Sequence, residues 1–156
     1  RGSNMTTIIY NHKKKEIAID SRATSDGNIL SDEYNKVKIS GDRVYFCAGN
    51  LSDIERLIKI LDEHDNGDKV AIGSEIKANI IFAENGSAYM SAIDSIGDFW
   101  INKLECNDGS GSGSLWALAG LDHGLTSRQA VKYASSKDAF TGGKIQVFNV
   151  TKHKFN

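Results

Sequence analysis

The chain has 156 residues, enough for one domain with a sizeable core, and its 40% apolar and 25% charged content is that of an ordinary globular protein. Nineteen basic residues against 20 acidic ones leave a net charge of −1, so no basic field gathers nucleic acid. No apolar run reaches membrane-spanning length, the first residues lack a signal-peptide core, and Cys47 and Cys106 are too far apart in sequence for a disulfide framework or a CxxC site; a reducing, cytoplasmic compartment is expected.

"RGSN" ahead of Met5 reads as an expression-tag remnant followed by an initiator methionine. Residues 1–5 are therefore set aside, and 6–156 are expected to form a single domain. Residues 7–10 and 16–23 are β-rich and flank the polar run "HKKKE", which predicts a hairpin with a solvated turn. Residues 26–28 form a turn, and residues 37–39 and 44–48 give two more strands around Ser40-Gly41-Asp42.

The period then changes. Ser52 with Glu55 three residues on reads as a capping box, and Ile54, Leu57, Ile58 and Leu61 recur at helical spacing until Asn66-Gly67-Asp68. Residues 78–83 and 88–92 predict a hairpin around Glu84-Asn85-Gly86, and residues 99–104 a short strand. "DGSGSGS" (108–114), taken alone, reads as a flexible spacer. Residues 115–121 predict a buried helix. Thr126 caps another, with Ala130, Val131 and Ala134 on one face, and residues 144–150 a closing strand. That order suits an α+β fold with helices packed on sheets.

Most routes to chemistry close at once. The four histidines have no metal-ligand spacing, and no metal or cofactor is expected. The run from Asp62 has Gly67 at the sixth place of a calcium loop, but His64 stands where an oxygen ligand belongs and Gly73 where the loop needs glutamate. There is no dinucleotide or P-loop motif and no GxSxG elbow. What remains is Thr6, directly after Met5. A threonine that begins a chain carries a hydroxyl and an α-amine together, and the amine, titrating near ~8, can act as the base for the hydroxyl. A lysine ammonium nearby would lower the hydroxyl's pKa, and a carboxylate would hold that lysine. Asp20 and Lys36 each lie on or beside a predicted strand where they could meet Thr6; spacing alone does not bring them together.

"IDSRAT", "NKVKI", "CAGN", "GSGS" and "KDAFTGG" stand in that order between Thr6 and Val150. In order and spacing they resemble the β-type proteasome subunits and their bacterial relative, the HslV protease, which are N-terminal-nucleophile hydrolases. The resemblance implies a four-layer αββα sandwich and a threonine peptidase without cofactor. In it Thr6 is nucleophile and base, and Asp20 orients the catalytic Lys36, sixteen residues on, with Lys38 as the rival lysine. Gly49 supplies an oxyanion-hole N–H, and Ser112, Asp138 and Thr141 support the amine, Thr141 standing where the family usually has serine. It also turns the 109–114 spacer into a tight turn leading into a helix. Ala23, Cys47 and Leu51 would line a modest apolar pocket for the substrate side chain, and Thr24 would pair the substrate backbone. The implied partners are a polypeptide substrate, further copies in a homo-oligomeric ring, and an ATP-dependent unfoldase. The family's second long helix, after the helix at 52–63, has no counterpart here, which weakens the expectation of stacked rings. A small-molecule amidase and a non-catalytic assembly subunit are the alternative functions.

Overall fold

A computed structural model describes residues 2–4 and 6–156. In chain order the elements are β1 (Gly2–Asn4), β2 (Ile8–Asn11), β3 (Glu16–Ile19), β4 (Ala23–Ser25), β5 (Asn28–Ser31), β6 (Val37–Ser40), β7 (Arg43–Asn50), α1 (Leu51–Glu63), β8 (Ala78–Glu84), β9 (Ser87–Ile93), β10 (Phe99–Lys103), β11 (Asp108–Ser110), α2 (Ser114–Asp122), α3 (Ser127–Lys137), β12 (Gln146–Asn149) and β13 (Lys154–Phe155).

The described strands form two antiparallel sheets. The smaller runs β11-β2-β3-β12-β13, with the expected hairpin at its centre (Tyr10 opposite Ile17). The larger runs β10-β9-β8-β7-β1-β4-β5, and β6 also pairs with β7. Strand β7 is long enough to serve two partners on one edge: Val44 and Phe46 pair with β6, while Gly49 and Asn50 pair with β1.

The apolar pattern explains the packing. Ile8, Ile9 and Tyr10 are consecutive, buried and without alternation, because both faces of β2 are covered. Ile8, Tyr10, Ile17 and Ile19 of the small sheet join Val44, Phe46 and Ile81 of the large one in one core. Ile9, Ala18 and Val147 pack instead with Ala117 of α2 and Ala130, Val131 and Ala134 of α3. Ile54, Leu57, Ile60 and Leu61 of α1 lie on Tyr45, Ile80 and Phe82 of the large sheet. The molecule is thus mixed helix and sheet, with its cores between the sheets and beneath the helices.

Four expectations need correction. The strand expected over 16–23 stops at Ile19, and the chain passes at Asp20–Arg22 into β4 of the other sheet. The cap of α1 is Asn50, whose side chain accepts from the Ser52 N–H, and not Ser52. Helix α2 buries Ser114, Ala117 and Gly120 but exposes Leu115 and Trp116, so it is not a buried helix. Residues 108–110 are a strand paired with β2, which removes the flexible-spacer reading and leaves the tight turn into α2. Residues 64–77 hold no helix, as the sequence leads one to expect. Gly2–Asn4, set aside in the sequence, pair antiparallel with both β4 and β7. No described helix is long and apolar enough to cross a membrane.

Candidate active site

The passage from β3 to β4 sets the site. It carries Asp20 out of the small sheet at the start of β2, where Thr6 and Thr7 stand. Lys36 precedes β6 and is fixed through its carbonyl, which accepts from the Cys47 N–H of β7 at 3.1 Å. Thr6 and Asp20 have no solvent exposure and Lys36 has 1%. The Thr6 hydroxyl donates to Asp20 Oδ1 and accepts from Lys36 Nζ at 2.5 Å, and Lys36 Nζ also donates to Asp20 Oδ1 at 2.8 Å. The other oxygen of Asp20 accepts from the Gly142 N–H at 2.9 Å and the Arg22 N–H at 3.4 Å, while the Thr7 N–H reaches Oδ1 at 3.3 Å. Burial raises the Asp20 pKa against the pull of Lys36 and of the Gly142 and Thr7 N–H groups. Burial likewise lowers that of Lys36, although Asp20 opposes it. A buried, paired lysine held on a hydroxyl is the kind of perturbed group that marks a reaction site. Lys38, the rival, borders the same cavity as Lys36, but the amine that touches Thr6 and Asp20 is that of Lys36.

A second polar cluster lies on the other side of the Thr6–Thr7 backbone. Ser112 Oγ donates to Asp138 Oδ2 at 2.5 Å, and Thr141 Oγ1 donates to the same oxygen at 2.6 Å. Thr141 has one proton, so Thr7 Oγ1, 2.7 Å from Thr141 Oγ1, must be the donor of that pair. Ser112 Oγ is also 3.5 Å from the Thr6 carbonyl oxygen, which accepts from the Gly113 N–H at 3.4 Å. A Cβ on Gly113 would stand 2.1 Å from Thr7 Oγ1 and 2.7 Å from Thr141 Oγ1, so only glycine fits between them. Thr7 was not singled out in the sequence; its place beside Thr6 on the strand leading into β2 is the signal that could have found it.

Gly49 sits near the end of β7 with φ of 119°, and a Cβ there would lie 2.2 Å from the Lys77 carbonyl oxygen. Its missing side chain thus serves the neighbouring chain before β8, a demand separate from any substrate. Its residue-level pairing is with Asn4 of β1, and Thr24 of β4 pairs with Ser3. A cavity of about 240 Å³ opens beside Lys36, lined among others by Cys47, Leu51, Ile54, Lys38 and Glu55. The sequence leads one to expect an apolar pocket there with Ala23 in its wall. Instead Lys38 and Glu55 bring charge to it, and Ala23, on β4, is not among its lining residues. Both charged residues are close enough to act on the Cys47 thiol, which burial pushes up to about 12. Among the described residues no group of three or more His, Cys, Asp or Glu side chains could hold a metal ion.

No protein-family model matches the chain, and no curated protein matches it. Solved structures do. The chain is similar to BPH of Thiobacillus denitrificans, determined in complex with epoxomicin, with a TM-score of 0.68 at 17% identity over 92% of this chain and 97% of that one. It is also similar to HslV of Trypanosoma brucei, with a TM-score of 0.65 at 18% identity over 91% of this chain and 97% of that one. The fold is that of HslV- and BPH-like proteasome-type subunits.

Proposed function

We propose that the chain is a threonine-type peptidase of the proteasome-like kind, built as the four-layer αββα sandwich of N-terminal-nucleophile hydrolases. The observation that carries this reading is the contact of the buried Lys36 Nζ with Thr6 Oγ1 at 2.5 Å, with Asp20 holding the lysine. When Thr6 is the first residue, its amine is free to take the hydroxyl proton. The oxygen then attacks the scissile carbonyl carbon, and the Gly49 N–H receives the negative charge that develops on the carbonyl oxygen. Collapse breaks the C–N bond, the leaving amine takes the proton, and an ester on Thr6 remains. Water hydrolyses that ester and restores the hydroxyl. Ser112, Asp138 and Thr141 hold the amine in place.

Strand β1 supports a mode of substrate binding. Gly2–Asn4 lie antiparallel between β4 and β7 and lead towards Thr6. An extended peptide in that slot would complete the large sheet through backbone bonds to Thr24 and Gly49, with its scissile bond arriving at Thr6. Its side chain next to that bond would enter the cavity of Cys47 and Leu51. The same fold favours assembly of copies into a ring, which an ATP-dependent unfoldase could feed.

In the 156-residue sequence the nitrogen of Thr6 belongs to an amide with Met5. An amide nitrogen has its lone pair in resonance with the carbonyl and is no base near neutral pH. The test is therefore a matched pair: the full 156-residue chain, and a chain shown by mass to begin at Thr6. Only the second should hydrolyse peptides and take one epoxomicin per Thr6. Equal activity in both, or activity in a Thr6→Ala version of the second, would overturn the mechanism.

A further inference from the structure

The loop of residues 138–144 carries Asp138 and Thr141 and also the Gly142 N–H that bonds Asp20, so it serves both polar clusters. Its internal bonds are local: Thr141 N–H to the Asp138 carbonyl at 3.1 Å and Phe140 N–H to Asp138 Oδ1 at 3.2 Å. Those bonds shape the loop but do not seat it on the β3–β4 passage. Seating comes from Ser21, whose N–H donates to the Gly142 carbonyl at 3.1 Å, and from an ion pair that spans the loop. Arg22 Nε and Nη2 donate to the two oxygens of Asp32 at 2.7 and 3.0 Å, a two-pronged pair. The third nitrogen, Nη1, donates to the Ala139 carbonyl at 2.9 Å. At the other end, the Lys144 N–H donates to the Asp32 carbonyl at 3.2 Å. Between them the guanidinium lies against Gly142, where a Cβ would stand 2.5 Å from Arg22 Cζ.

We propose that the Arg22–Asp32 pair is a positioning clamp: by gripping residues 139 and 144 it fixes the 138–144 loop, and through that loop it sets both the Gly142 N–H on Asp20 and the Asp138–Thr141 bonds beside Thr6. Arg22 acts through the loop and touches no reacting atom. The guanidinium meets Asp32 with two nitrogens and the Ala139 carbonyl with the third, a fork that the single nitrogen of a lysine cannot reproduce. The kinetic consequence rests on the peptidase reading above; the structural consequence does not.

The test uses chains that begin at Thr6 and carry Arg22→Gln, Arg22→Lys, Asp32→Asn or the double change Arg22→Gln with Asp32→Asn. Loss of the charge-assisted bonds in Arg22→Gln is expected to lower kcat by about 10-fold or more, since the grip bears on the loop that holds both polar clusters. Arg22→Lys should recover part of that loss, and the double variant should cost no more than Arg22→Gln alone, because the pair acts as one unit. The acidic limb of kcat/KM should move by about half a pH unit, a change that mere loss of stability does not produce. Hydrogen exchange supplies a readout free of activity: amides of residues 141–144 should exchange faster in Arg22→Gln, and those of α1 should not. Unchanged kcat with unchanged exchange in the loop overturns the clamp, as does an increase spread evenly over α1 and both sheets. If the parent chain hydrolyses nothing, the peptidase reading falls, and the exchange pattern alone decides on the clamp.

Discussion

The two polar clusters beside Thr6 are built on opposite plans. In the 156-residue chain, where Gly2–Asn4 lie in the large sheet ahead of Thr6, Thr6, Asp20 and Lys36 have almost no solvent exposure where three segments converge. Ser112, Asp138 and Thr141 come from two glycine-bearing loops, and the Ser112–Asp138 bond is exposed. The sealed cluster holds a full ion pair out of water, an arrangement that costs free energy unless every charge is met. The outer cluster needs only hydroxyls and one carboxylate; water reaches Ser112 and part of Asp138, although Thr141 has no exposure. On the peptidase reading proposed above, the sealed cluster would alter the reactivity of the Thr6 hydroxyl, whereas the outer one would orient what lies next to it.

The comparison breaks most readily at Lys36. In a chain that begins at Thr6, Lys36→Ala is expected to lower peptide hydrolysis by about 1,000-fold or more, as for a member of a coupled catalytic unit. It leaves Asp20 buried without its partner, so a loss of about 3–5 kcal/mol in stability should accompany it. A thermal melt recorded alongside the rates separates the two effects. Lys38→Ala should stay within a few-fold of the parent. Should Lys38→Ala be inactive and Lys36→Ala active, the sealed cluster is not the reactive one.

A smaller loss is expected on the outer side. Asp138→Asn replaces the acceptor of two short hydroxyl bonds by a neutral one. A charge-assisted bond of this kind corresponds to about 10–100-fold in rate. Steady-state kinetics on one fluorogenic peptide would show whether Asp138 falls below Lys36 in effect. A loss as large as that of Lys36→Ala would mean that the outer cluster takes part in the chemistry.

Titration sharpens the same contrast. The α-amine of Thr6 must be neutral to act as a base, so kcat/KM should rise with pH through about 8. Lys36 should set the other limb. Its pKa is lowered by burial, so it loses its proton at a lower pH than an ordinary lysine, and the ammonium beside Thr6 disappears as pH rises. The profile should therefore turn down before about 10.4, the value of an exposed lysine. A rate that stays level beyond that point would show that the charge on Lys36 is not needed.

The same division governs how much could be read in the sequence. The hairpin of β2 and β3, the β8–β9 hairpin, α1 and α3 all follow from period and turn residues, and the capping box of α3 forms at Thr126 and Gln129. Thr6 was legible from its place directly after Met5; Asp20, Lys36, Ser112, Asp138 and Thr141 took their roles only through the resemblance of five short motifs, and Thr7 was not singled out. Nothing local to Asp20 says that the chain changes sheets there, and that passage is what buries it. The helix cap was missed because β7 runs on past the strand read at 44–48 and ends at Asn50, directly before the helix, while Ser52 offered a fuller box. The charge in the cavity was missed for a similar reason. Glu55 reads as a surface residue of α1 and Lys38 as one of β6, and their approach to Cys47 depends on how the helix lies on the sheet. Arg22 and Asp32 were missed because their meeting across the loop depends on the β4–β5 hairpin, and residues 16–23 read as one strand.

The smallest effect concerns the two thiols, and it tests the buried side of the comparison without touching the chemistry. Cys47 lies on β7 with 1% exposure, and burial pushes its pKa up to about 12; Cys106 is exposed. The thiolate is the reactive form, and at pH 8 a group titrating near 12 has only about one thiolate in ten thousand. The native chain should therefore release one equivalent of thionitrobenzoate rapidly from a disulfide reagent, and the second only in guanidinium chloride. Labelling Cys106 should leave peptide hydrolysis within about twofold of the parent, a change within ordinary surface effects. Cys106 lies beyond the Tyr10 end of the β2–β11 pairing, whereas Thr6 lies beyond the Ile8 end. Two thiols reacting at comparable rates in the native protein would mean that the floor of the cavity opens to water. The side chain of a substrate would then meet a mobile wall there, and the contrast between a sealed and an open cluster would no longer hold at the cavity next to Lys36.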